Sequence, residues 1–189
     1  MLTHCLPRTL RRIAGVAAVA FVVVLPRSVL AQSSPDSASW YSSVAAWGSG
    51  GIGAGSTQDP LGGGVAAVAR GAVSVGPLLL MYRASDVGPF ISAGSGVRSA
   101  AVLAGVRTRG HRVFESAALG YARASPYHQS DNSSYPTVAP SVTVLAYDVS
   151  FHVNAVVAGL ALSISGDVGP QHSTNSVVTL SLELGWFGR

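Results

Sequence analysis

The chain has 189 residues, enough for one domain with little room for a second. Only 11% of residues are charged, against roughly 25% in an ordinary soluble domain. All the basic side chains are Arg, and the formal charge of +4 would normally raise the question of a nucleic-acid partner. Its distribution excludes that reading. Arg8, Arg11, Arg12 and Arg27 stand in the first 31 residues with no acid among them, and from Gln32 onward eight Arg balance eight acids. No basic run remains to follow a phosphate backbone.

The N-terminal segment reads as a signal peptide over residues 1–31. Arg8, Arg11 and Arg12 form a positive region, 13–25 is apolar, and Val29-Leu30-Ala31 supplies small residues for cleavage after Ala31. The apolar run is shorter than the about 20 residues a spanning helix needs. Cys5 leaves with it, and the remaining chain has no thiol chemistry. Residues 32–38 are expected to be a short periplasmic segment, and 39–189 the folded domain.

That domain alternates with period two, the pattern of strands with two unlike faces. Strands are predicted near 39–54, 64–75, 78–86, 97–108, 111–124, 142–153, 156–167 and 176–187. The last is the clearest: Val178, Leu180, Leu182, Leu184 and Trp186 alternate with Thr179, Ser181, Glu183 and Gly185. Gly76-Pro77, Arg109-Gly110 and Asn154-Ala155 are two-residue hairpin candidates, pairing Val75 with Leu78, Val106 with Val113 and Val153 with Val156. The connections 55–63, 87–96, 125–141 and 168–175 are longer, so short and long alternate. The fold class is therefore all-β, an eight-stranded antiparallel up-and-down transmembrane β-barrel with short periplasmic turns and longer extracellular loops.

One strand face carries Leu, Val, Ile, Tyr, Phe and Trp; the other carries Gly, Ala, Ser and most strand charges. A soluble barrel needs a charged coat that this chain lacks, so the apolar face is expected to meet lipid. Arg70, Arg83, Arg107, Asp148, His152, Asp167 and Glu183 then fall on the inner face and are expected to form a lumen ion-pair network. Trp40, Tyr41, Trp186 and Phe187 are expected to form one aromatic girdle, with Tyr82, Tyr121 and Tyr147 forming the other. Trp47, in mid-strand, does not fit the girdle, and Glu115 falls on the lipid face.

Taken together, the signal peptide, the eight strands and the closing segment Leu180-Ser181-Leu182-Glu183-Leu184-Gly185-Trp186-Phe187 resemble the small eight-stranded outer-membrane barrels of the OmpX- and OmpA-barrel-like group. The resemblance spans Trp40 to Phe187. Its family closes on an aromatic residue, whereas Gly188-Arg189 follow here. It implies a Gram-negative-type outer membrane, outer-membrane lipid and the barrel assembly machinery as partners, and no single activity.

No catalytic motif stands out. Gly48-Ser49-Gly50-Gly51-Ile52-Gly53 matches G-x-G-x-x-G, but residues 54–60 read as a turn where a dinucleotide site needs a helix. Asp148, Ser150 and His152 share a strand face, which by itself makes no triad. His111, His128 and His172 lack metal spacing. Neither a cofactor nor a metal is expected. The loop from Ser125 to Ser141, with Tyr127, His128, Asp131, Asn132 and Tyr135, is the candidate external binding loop. The reading is a structural or surface-interaction barrel with a filled lumen and no catalysis. Three alternatives stay open: a small-molecule-binding or gated-transport barrel, a lipid-modifying enzyme, and a secreted soluble lipocalin-like barrel.

Overall fold

The computed structural model describes residues 43–57, 63–89, 94–110, 112–129, 137–154, 158–169 and 177–187. Eight of its strands form the wall: β1 (Val44–Thr57), β2 (Gly63–Val75), β3 (Leu78–Gly88), β4 (Gly94–Arg107), β5 (Val113–Gln129), β7 (Val142–Asn154), β8 (Gly159–Val168) and β9 (Val177–Phe187). A two-residue strand, β6 (Thr137–Val138), pairs only with the far end of β5. Every pairing is antiparallel and between sequence neighbours, except β5 with β7 across β6 and the seam of β1 with β9. That seam closes the sheet into an all-β up-and-down barrel.

At the long-connection end, β1 to β5 run further than their patterns indicate. β1 continues through Ala54 to Thr57, so the glycine-rich run is mid-strand and 54–57 are no turn. β5 continues to Gln129, which places Tyr127 and His128 on a strand instead of in a loop. Extension shortens the first three long connections, so 58–62 is no longer than the 108–112 turn.

Two hairpin registers also differ. Val106 pairs with Ala117, not Val113, and Val153 pairs with Leu160, not Val156. Each shift is four residues. An even shift keeps every side chain on its face, so the hydrophobic pattern cannot detect it. The Val75–Leu78 pairing does occur, across Gly76-Pro77. Gly76 has φ 56° there, at the position where a tight hairpin takes glycine.

The burial pattern is inverted relative to a soluble barrel. Ile52, Leu78, Leu184 and Tyr121 point outward and are 66–70% exposed, while Arg83 and Glu183 are 1% exposed and His152 is fully enclosed. Each outward Leu or Ile left in water would forgo about 1.5–3 kcal/mol of burial. The interior holds Met81, Leu103 and Ala66 alongside charges and hydroxyls, so it is a packed core.

Candidate functional site

The lumen contains two layers. In the first, Arg70 on β2 donates through Nε to Asp148 Oδ2 on β7 (2.7 Å), and through Nη1 it pairs with Glu183 on β9. Glu183 Oε2 accepts from Ser49 (2.7 Å), and its Oε1 accepts from Ser163 (2.6 Å) and Ser181 (2.9 Å). Ser150 donates to Asp148 Oδ1 (2.6 Å). Arg83 on β3 pairs with Asp167 on β8 and donates to the Tyr147 carbonyl (2.7 Å). In the sheet order β2 and β7 stand four strands apart, as do β3 and β8, so both bridges cross from wall to wall.

The second layer lies toward the short turns and is aromatic. The Phe114 ring stacks on the His152 imidazole, with centroids 4.3 Å apart and planes at 11°. Trp47 meets both edge-on, at 5.3 Å and 5.9 Å. Arg107, at the end of β4, holds its guanidinium 5.7 Å from the Phe114 centroid. The pattern reading missed Trp47 and Phe114 as lumen residues, although parity held the signal. Trp47 lies between Ala46 and Gly48 on the outward side, and Phe114 between Val113 and Glu115.

All seven residues expected in the lumen lie inside the barrel. Arg70, Asp148 and Glu183 come together, as do Arg83 and Asp167; His152 and Arg107 belong to the aromatic layer. The Asp148, Ser150 and His152 grouping does not assemble. Ser150 bonds Asp148, while His152 Nε2 meets Ser116 Oγ at 3.2 Å. No group of three metal-ligating side chains occurs among the described residues.

The outward aromatics divide. Tyr82, Tyr121 and Trp186 are exposed on the outer face. Trp40 and Tyr41 lie outside the described residues, and Phe187 is described in its backbone only. Tyr147 departs from the girdle: it is 8% exposed, because its ring lies flat where a side chain at Gly166 would sit. Glu115 does face outward, at the rim. It needs no bulge, because its backbone pairs with Thr108 beside the turn.

Of the candidate loop, Asp131, Asn132 and Tyr135 lie outside the described residues. Tyr127 is no free binding side chain. Its ring lies over Gly96, its hydroxyl donates to Asp86 Oδ1 (2.9 Å), and the Arg98 guanidinium stands 5.0 Å above it. Arg98 also bonds Asp86 Oδ2 (2.8 Å). Wall pairing between β5 and β7 ends at Ala124, so Tyr127 stands on the extension past the closed wall. Burial, and then the hydrogen bond to Asp86, push its phenol up to about 12. His128 is exposed, with Nδ1 3.3 Å from Ser95 Oγ.

An inside-out closed barrel of eight strands is the observation that decides the comparison with known proteins. The chain shares the fold of the small eight-stranded outer-membrane barrels. It is similar to neisserial surface protein A (TM-score 0.60, 9% identity, covering 76% of this chain and 96% of that one). It is similar also to the N-terminal barrel domain of Pseudomonas aeruginosa OprF (0.53, 10%, 75% and 96%) and to Ail, the attachment invasion locus protein of Yersinia pestis (0.51, 14%, 77% and 99%). No family model matches the sequence, and no curated protein does. Identities this low establish the fold alone.

Proposed function

We propose that this protein is an outer-membrane barrel of a Gram-negative-type envelope, delivered by a signal peptide cleaved near Ala31. Its role is structural or in surface interaction, without catalysis. The observation that carries the reading is the inversion itself: large apolar side chains cover the outside, while Arg70, Arg83, Asp148, Asp167 and Glu183 are sealed inside. Such a surface meets lipid, and its strands carry the alternation that a spanning barrel requires. The two wall-to-wall bridges fill the bore, which favours a closed lumen over transport. Outer-membrane lipid and the barrel assembly machinery follow as partners, and an extracellular ligand is taken at the long-connection rim. There β4, β5 and β6 project together and expose Arg98, His128 and Val138. Neighbours described as a surface protein and as an attachment protein are in keeping with a role at that rim.

Fractionation tests the location. The protein should stay with outer membranes through high-salt and alkaline washes, and should migrate differently on a detergent gel before and after boiling. Release by salt would defeat the membrane reading. In planar bilayers it should pass no steady current, and a stable open conductance would defeat the closed lumen.

A further inference from the structure

The lumen charges sum to zero but are not balanced locally. Arg70 meets two carboxylates, and the surplus negative charge there is met by hydroxyls of Ser49, Ser150, Ser163 and Ser181. Arg83 meets one carboxylate. Arg107 meets none among the described residues. It is 5% exposed, and its single side-chain hydrogen bond among the described residues runs from Nε to the Gly76 carbonyl at 3.3 Å. A guanidinium stays charged at any relevant pH, and a buried one needs a counter-charge.

Two further donors line the same end of the lumen. Trp47 Nε1 is buried and finds no acceptor among the described residues, and its ring packs on the Phe114 ring beneath Arg107. Ser74 Oγ on β2, 1% exposed, likewise has no partner among the described residues, and Ser74 lies two residues before Gly76. Buried polar atoms without partners are few in folded proteins, and each calls for an explanation. Arg107 and the Trp47 indole can only donate and the Ser74 hydroxyl can donate, so one acceptor answers all three, and one of the groups is a cation.

We propose that the short-turn mouth of the lumen is an anion-binding site. Its ligand is a small oxyanion of phosphate or carboxylate type, held by the Arg107 guanidinium, the Trp47 indole N–H and the Ser74 hydroxyl. The planar fork of Arg107 suits two oxygens of one such group. Because Arg107 ends β4 next to the turn, the anion enters from the compartment that the short turns face.

Trp47 provides the readout. With Trp40 and Trp186 replaced by Phe, the full-length protein, purified from membranes in a non-ionic detergent, is titrated with sodium phosphate against sodium chloride at constant ionic strength. Trp47 emission should change saturably. Arg107→Gln should move the midpoint up about tenfold or more, the loss typical of one charge-assisted contact. No saturable change in the parent, or equal midpoints in parent and Arg107→Gln, overturns the proposal. If Arg107→Gln does not give the heat-modifiable folded form, Ser74→Ala decides: a midpoint several-fold higher supports the site, and an unchanged one overturns it.

Discussion

Arg70 and Asp148 face each other from opposite walls of the barrel and close to 2.7 Å across its bore. Neither side chain is reached by solvent. A pair in this position adds little net stability over apolar residues of the same volume, but losing one member strands the other. Arg70→Met leaves both Asp148 and Glu183 without their cation and should cost about 3–5 kcal/mol. The triple change Arg70→Met, Asp148→Leu, Glu183→Met should recover most of that loss. Reversible urea unfolding in lipid vesicles measures both, and equal losses would show that the network is not acting through unpaired charge.

The glycines of β1 and β2 divide by what surrounds them. A Cβ on Gly51 would strike the Leu182 carbonyl and the Glu183 backbone at the β1–β9 seam. Gly71 faces outward with nothing within 4 Å of that position. Gly51→Ala should therefore cost about 2 kcal/mol or more by overpacking the closing seam. Gly71→Ala should be neutral or stabilise by about 0.4–1 kcal/mol, since its backbone conformation admits Ala and the unfolded chain loses freedom. The boiled and unboiled gel bands of the two variants, followed against temperature, separate these outcomes.

Tyr127 should titrate anomalously. Burial and its bond to Asp86 favour the neutral phenol, so its value rises from 10.0 to about 12 in the folded chain. A raised value means that the stabilisation is complete below pH 10 and is lost as pH climbs through about 12. Difference spectra between the parent and Tyr127→Phe, read at the phenolate band, should show no Tyr127 ionisation near pH 10. Ionisation at the ordinary value would mean that the Asp86 bond is not kept in solution.

Strand number, hand-over from face to face and the inward set of charges were legible because each depends only on parity. The last three strands read most clearly, since Leu180, Leu182 and Leu184 leave no doubt about which side is apolar. Register was not legible: the shifts at Val106 and Val153 are even, and even shifts leave the pattern unchanged. Leu78-Leu79-Leu80-Met81 is apolar without a break, so nothing in it reveals that Leu79 and Met81 turn inward. The flat rings of Tyr127 and Tyr147 depend on glycines of neighbouring strands, Gly96 and Gly166, and a single strand's pattern holds no trace of its neighbour. Which arginine meets which carboxylate likewise follows from closure of the sheet, which sets Arg70 against Asp148 and Arg83 against Asp167 four strands away and Glu183 two strands from Arg70.

The cost of a charge on the outer wall should depend on height. Leu182 is 58% exposed at the middle of β9, whereas Glu115 stands beside the Thr108 turn on the same outer surface. A charge held in mid-bilayer loses hydration that nothing in the hydrocarbon replaces, while one at the rim reaches headgroups and water. Leu182→Arg should thus cost about 2–4 kcal/mol in vesicles, and Glu115→Arg about 0–1 kcal/mol. In detergent micelles, whose loose surface admits water more readily, the gap should narrow. If Leu182→Arg unfolds at the same urea concentration as Glu115→Arg in vesicles, the outer face of β9 does not cross a hydrocarbon layer. The apolar belt would then need a protein partner to cover it.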